Sequence, residues 1–246
     1  MLVAERQQAI ISHLAKKGNV SVSELCQMFN VSEMTIRRDL VDLEKQGLLQ
    51  RTYGGAIATE PAFFEMSLRA KLSVFIEEKE RIGKACASMV EDGDVIFLDS
   101  GTTTLQVARA IRDKNISILT NDLNIAYELL DCPNIELYIS GGVVRRGTNN
   151  IVGPKAIGFY DDIRGKKLFL AVEGVDVSTG LTVPDFNEVS LKRKMMSAVS
   201  EVVVVADHSK LGRNTMGVIA PLSAACCLVT DKDAPENVLR PIKEKV

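Results

Sequence analysis

The stretch Val31-Ser32-Glu33-Met34-Thr35-Ile36-Arg37-Arg38-Asp39-Leu40 decides how the rest of the chain is read. Ser32 stands where a helix N-cap belongs, just ahead of apolar residues at Ile36, Leu40 and Leu43 that fall on one helical face. Thr35, Arg37, Arg38 and Asp42 are left on the faces that do not pack. A helix that opens with a hydroxyl and carries two adjacent arginines can set its first turns in the major groove of a duplex. An isolated Arg-Arg pair fits a solvated surface helix at least as well, and the flanking sequence tips the balance.

Upstream, Ala4 to Lys17 reads as a helix with Ile10, Ile11 and Leu14 as its buried stripe, ending at Gly18. Val20 fits a short strand. Ser21-Val22-Ser23-Glu24 has the spacing of a capping box ahead of a second helix, Val22 to Phe29. Asn30-Val31 makes a short turn, and the third helix runs from Ser32 to Gly47, so the pair forms a helix-turn-helix. Downstream, Leu48 to Ile57 reads as strand, glycine turn at Gly54-Gly55, strand: a wing. Arg38 and Thr35 are the candidates for base edges, and Arg37 and Arg51, with Tyr53 beside it, for the phosphate backbone. Arg37 and Arg38 exchange roles if the helix starts one residue away, because each residue turns the face by about 100°.

The bulk properties agree with a core-forming chain: 246 residues, 46% hydrophobic, no apolar run near the roughly 18 residues that span a membrane, and no signal-peptide region at the start. A cytoplasmic location is expected. Five scattered cysteines with no C-x-x-C, and two histidines, speak against a structural metal site. Net charge is −2, and residues 1–58 hold seven Lys and Arg against six Asp and Glu. Positive charge for DNA must therefore be local.

Residues 59–73, with Pro61 and alternating charges, read as a linker between a domain at 1–58 and one at 74–246. Phe63-Phe64 within it either cover an interface or pack locally. Glu77 to Val90 is an amphipathic helix. From Val95 the chain alternates strands at 95–98, 116–119, 135–139, 168–172, 202–206 and 226–230 with helices at 103–111, 123–130 and 187–199. That alternation gives an α/β fold with a mostly parallel open sheet, whose ligands bind at the carboxyl ends of the strands. There the sequence collects Asp99, Ser100, Gly101, Thr102, Thr103 and Thr104 in a turn that opens a helix and suits a phosphate. Asn121, Gly141, Gly142 and Gly174 follow other strands, and Lys210 stands in Asp207-His208-Ser209-Lys210. Each alone is ordinary turn chemistry; together they point to one crevice. Val143 to Gly147 reads as a solvated basic loop, with approach to an anion as the alternative.

The run "VSVSELCQMFNVSEMTIRRDLVDLEKQGLLQRTYGGA" resembles the winged helix of the DeoR family of bacterial sugar-responsive transcription factors, whose pattern is VS-x-x-TIRRDL, a basic residue and HGGA. Tyr53 stands in place of the usual His. The rest resembles the family's effector domain, a relative in fold of ribose-5-phosphate isomerase, through Asp99 to Thr103, Thr120-Asn121, Gly141-Gly142, Gly174-Val175-Asp176, Glu188-Val189 with Lys192-Arg193, and Asp207 to Lys210. The region around "DHSKLGRN" is similar to the branch containing the glycerol-3-phosphate regulon repressor. The resemblance implies double-stranded operator DNA as partner and a phosphorylated sugar or polyol as effector, with no cofactor, metal or catalysis. Residues 100–104 would hold the phosphate, Asn121, Asp176 and Glu188 the hydroxyls, and Lys192 and Lys210 would supply charge. For Asp176 and Glu188 a cap or a salt bridge competes with ligand contact. Paired operator half-sites imply a homo-oligomer, dimer or tetramer. The alternative is a working sugar-phosphate isomerase with Glu188, Asp176 and Lys210 as acids and cation.

Overall fold

A computed structural model describes residues 2–45, 48–57 and 68–246, without the side chains of residues 15, 16, 69 and 70. Helix α1 (Val3–Lys17) ends at Gly18 and leads into strand β1 (Asn19–Ser21). Helix α2 (Val22–Phe29) is capped by Ser21, whose hydroxyl accepts the Glu24 N–H at 3.1 Å, and stops where Asn30 turns left-handed. Helix α3 (Glu33–Lys45) follows after two residues. Strands β2 (Gln50–Thr52) and β3 (Gly55–Ile57) pair antiparallel, and β1 pairs with the other edge of β3. This is the winged helix-turn-helix read from the sequence. Gly55 is required by space: a Cβ there would run into the Val20 carbonyl oxygen.

The core of this unit is built from Ile10, Leu14, Leu25, Ile36, Leu40, Leu43 and Leu49, all at most 2% exposed. Helix α4 (Leu68–Ser73) packs on α1, and Val74 and Phe75 bury in the same core. The chain accordingly divides after Ile76. The last part of the segment expected to be a linker is thus part of the first unit. Phe63-Phe64 and the expected helix end at Gly47 lie outside the described residues.

The second unit begins with helix α5 (Ile76–Ala87, of which Ile76 belongs to the first unit) and then strand β4 (Val95–Leu98), helix α6 (Thr102–Ala110), strand β5 (Ile116–Thr120), helix α7 (Leu123–Leu129) and strand β6 (Ile135–Ile139). A hairpin of β7 (Val143–Arg145) and β8 (Asn150–Val152) precedes helix α8 (Pro154–Gly158) and strand β9 (Gly165–Ala171). Strands β10 (Gly174–Asp176) and β11 (Gly180–Val183), helix α9 (Phe186–Ser197), and strands β12 (Val199–Val205), β13 (Gly217–Ala220) and β14 (Cys227–Val229) lead to helix α10 (Glu236–Lys243).

Six strands form one parallel sheet in the order β14-β12-β9-β4-β5-β6. Alternate residues of its central strands serve two cores. Ile96, Leu98, Phe169, Val203 and Val205 pack with Ile82, Cys86, Val107, Ala108, Ile125 and Leu129 of α5, α6 and α7. Phe97, Leu168, Leu170, Val202 and Val204 pack with Ala156, Val189, Leu191 and Met195 of α8 and α9. Burial on both faces is why these strands read as unbroken apolar runs. The hairpin and an antiparallel sheet in the order β10-β11-β13 were not foreseen. Among the described residues no helix is long and apolar enough to cross a membrane.

Candidate DNA-binding and effector sites

On α3 the Ser32 hydroxyl accepts the Thr35 N–H at 3.3 Å and bonds the Thr35 hydroxyl at 3.0 Å, which fixes the first turn. Arg37 and Arg38 are both exposed. Arg37 reaches back one turn to Glu33 at 3.2 Å, whereas Arg38 has no ion pair or hydrogen bond among the described residues. On the wing, Arg51 donates Nε–H to Glu44 at 2.6 Å and its own N–H to the same carboxylate at 2.9 Å. That pairing holds the Glu44 carboxyl below its usual range. Tyr53 is fully exposed at the wing tip.

Two features of this surface escaped the sequence reading. Asp39 is 2% exposed and takes the Arg6 guanidinium at 2.5 and 3.3 Å, joining α1 to α3. Its signal was present: Asp39 falls three residues after Ile36, within the buried stripe. Met34, in the leading turn, is 81% exposed.

In the second unit, the carboxyl ends of the parallel strands gather Asp99, Asn121, Ser140, Glu173 and Asp207 along one edge of the sheet. Asp99 is 1% exposed; its carboxylate accepts the Ala171 N–H at 3.0 Å and the Lys192 ammonium at 2.5 Å. Lys192 also donates to the Ala171 carbonyl and lies 3.6 Å from Glu188. Burial pulls the Lys192 pKa down, but attraction to Asp99 and Glu188 outweighs it and leaves the ammonium above its ordinary value. Glu188 accepts from Arg145 at 2.7 Å and Asn150 at 2.9 Å, and Arg145 also meets Asp185 at 2.9 Å. Asp99, Lys192, Glu188 and Arg145 thus form one chain of alternating charge. The segment expected to be a solvated basic loop is instead anchored by Arg145 to α9.

Gly101 precedes α6, which has no side-chain N-cap. A Cβ at Gly101 would stand 2.7 Å from the Ala171 methyl, so only glycine lets β4 hand over to α6 this close to β9. Thr102, Thr103 and Thr104 are buried, and Thr104 donates its hydroxyl to the Gly101 carbonyl at 2.8 Å. Ser100 donates to Asp122 at 2.6 Å, and Asp122 caps α7 through the N–H groups of Asn124 and Ile125. Burial pushes the Asp122 carboxyl above its usual range despite those bonds. Asn121 Oδ1 and Ser140 Oγ are buried with no hydrogen-bond partner among the described residues.

The remaining sequence candidates are placed differently. Asp176 ties its own turn, accepting from Ser178 N and Oγ and from Thr179 N at 2.9, 2.6 and 2.9 Å. Gly174 packs against Thr182 and the Arg213 carbonyl inside the small sheet. Lys210 is paired with Glu173 at 2.7 Å. Gly142 approaches the Val152 carbonyl, closing the base of the hairpin, while a Cβ at Gly141 would meet open space.

Comparison with known proteins matches both units. A family model described as the DeoR-like helix-turn-helix domain covers residues 6–62, and one described as the DeoR C terminal sensor domain covers residues 74–232. The chain is 34% identical to the glycerol-3-phosphate regulon repressor of Escherichia coli (strain K12), covering 98% of this chain and 95% of that one. It is 34% identical to the HTH-type transcriptional regulator IolR of Bacillus subtilis (94% and 91% covered) and 37% identical to the HTH-type transcriptional regulator GlpR of Haloferax volcanii (94% and 91%). Among solved structures, ribose 5-phosphate isomerase A from Methanocaldococcus jannaschii matches over 55% of this chain and 54% of that one, with 17% identity and a TM-score of 0.42. With both of its units matched by DeoR models and relatives aligned over nearly its full length, this chain belongs to the DeoR family of DNA-binding transcriptional regulators.

Proposed function

We propose that the protein represses a carbohydrate-utilisation operon and leaves its operator when a phosphorylated sugar or polyol binds at the carboxyl ends of β4, β5 and β6. The observation that carries the effector site is the start of α6. Its leading N–H groups lack a side-chain cap, behind a glycine pressed against β9 and beside three buried threonines. Uncapped helix N–H groups and the helix dipole favour an anion. Asn121 and Ser140, each with a buried polar atom lacking a partner among the described residues, stand at the ends of β5 and β6 as groups for hydroxyls. Lys192 and Lys210 are already ion-paired, so the phosphate relies on backbone N–H groups and hydroxyls more than on ammonium groups. Glu188 and Asp99 act by holding Lys192 and the loop in place.

On DNA, Arg38 and Thr35 read base edges, while Arg37, Arg51 and Tyr53 contact the backbone. A homo-oligomer places two such helices on spaced half-sites. The domain at the carboxyl end senses and does not turn over its ligand: Glu188, Asp176 and Lys210, the groups available for proton transfer, are each held by different partners.

The test is fluorescence anisotropy with duplex DNA from upstream of the protein's own operon, titrated with sugar and polyol phosphates and their unphosphorylated counterparts. Release by one phosphate and not by its counterpart supports the reading. DNA binding insensitive to every phosphate removes the effector site, and turnover of a sugar phosphate removes the sensing role.

A further inference from the structure

We propose that Met34 reads a thymine in the operator by contact with its C5-methyl group, and so sets base preference beside Arg38. The assignment rests on the head's role in DNA binding. Met34 is the second residue of α3 and is 81% exposed, although it is large and apolar. It sits three and four residues before Arg37 and Arg38, so the three side chains neighbour one another on the surface of the helix. A face that brings Arg38 to base edges brings Met34 with it, and the first turns of a recognition helix are the ones that reach bases.

The other groups in that turn are polar and suit donors and acceptors rather than an apolar target. The hydroxyls of Ser32 and Thr35 bond each other, and Glu33 holds Arg37. Met34 has no polar atom to lose to water and a flexible thioether stem that adapts to a shallow apolar target. In the major groove the apolar target is the thymine methyl; the other three bases offer only donors and acceptors. The face of α3 opposite to Met34 is fixed by the buried Arg6–Asp39 pair, which keeps the exposed stripe turned outward.

The experiment uses the full-length protein and a duplex enriched by it from a randomised library. Each thymine of the enriched site is replaced in turn by deoxyuridine, which removes one methyl group and keeps base pairing. Burial of one methyl group on binding corresponds to about a fourfold change in affinity. Wild-type protein is expected to lose about that factor at one thymine per half-site, and Met34→Ala is expected to bind the thymine and deoxyuridine duplexes equally. Met34→Leu, which keeps an apolar side chain of similar size on an exposed helical position, is expected to retain part of the discrimination. A deoxyuridine penalty that persists in full in Met34→Ala assigns the methyl to another residue and overturns the proposal. So does indifference of the wild-type protein to every substitution. Failure to enrich any duplex overturns the DNA-binding reading of the head, and this assignment with it.

Discussion

Arg6 and Asp39, thirty-three residues apart, meet in a buried ion pair at 2.5 Å that pins α1 to the middle of α3. Breaking one side leaves an uncompensated charge in the core, which costs about 3–5 kcal/mol, whereas replacing both sides by apolar groups is often neutral. Arg6→Met is therefore expected to destabilise the first unit strongly, and Arg6→Met/Asp39→Leu to recover most of the loss. Amide hydrogen exchange of α1 and α3 in the full chain measures both. Equal losses in the single and double variants would show that the pair is not what holds the two helices.

Arg38 and Arg51 are expected to fail in different ways. Arg38 has no partner among the described residues, so Arg38→Ala should cost about 1–3 kcal/mol on the preferred duplex and flatten preference at one base position. Arg51 starts paired with Glu44, so it contributes to the backbone only after exchanging that carboxylate for a phosphate. Arg51→Ala should weaken all duplexes alike and lower the salt slope by about one. Anisotropy titrations on preferred and scrambled duplexes at several salt concentrations separate the two; a selective loss of preference in Arg51→Ala would reverse the roles.

Glu24 accepts from His13 at 2.8 Å and Lys17 at 2.7 Å, and these bonds, Lys17 first, lower its pKa from 4.5 to about 2. A carboxyl whose folded pKa is depressed stabilises the fold above its unfolded value and loses that contribution as pH falls through the folded one. Glu24→Gln should lower the melting temperature at pH 7, and the gap to wild type should close between pH 4.5 and about 2. Far-UV circular dichroism melts across that range give the answer. A gap constant with pH would mean the bonds do not depend on the charge.

At the effector loop, Thr102→Glu sets a carboxylate in the first turn of α6, where the phosphate is proposed to lie. It is expected to weaken effector-driven release of DNA by at least tenfold, about 1.4 kcal/mol, while operator affinity without effector stays within twofold of wild type. Unchanged effector response would remove the loop from the site.

Much of this architecture was readable from the chain. The stripe Ile36, Leu40, Leu43 placed α3, and the continuous apolar runs placed the central strands β4, β9 and β12, because burial on both faces leaves no room for polar alternation. The strands β7, β8, β10 and β11 are three or four residues long, too short for any period to declare itself. The turn chemistry at Asp99 to Thr104 was legible because glycine and hydroxyl residues there follow a strand. The ion pair that organises that turn was not: Lys192 lies 93 residues from Asp99, and no local pattern signals a partner at that distance. Asp176 shows the converse: the family resemblance offers it as a ligand contact with a cap as the rival reading, and its carboxylate is used within three residues, as a turn cap would be.

The order of the sheet has a consequence for synthesis on the ribosome. The strands β5 and β6 add in turn to one side of β4, and β9, β12 and β14 add in turn to the other, so each strand emerges to find its neighbour already made. The first unit draws its core from the opening 76 residues and is finished long before that. Asp99, however, emerges early and waits for Lys192 on α9. A nascent chain halted before Phe186 would carry a finished DNA-reading head on a sensor whose buried carboxylate has not yet met its cation.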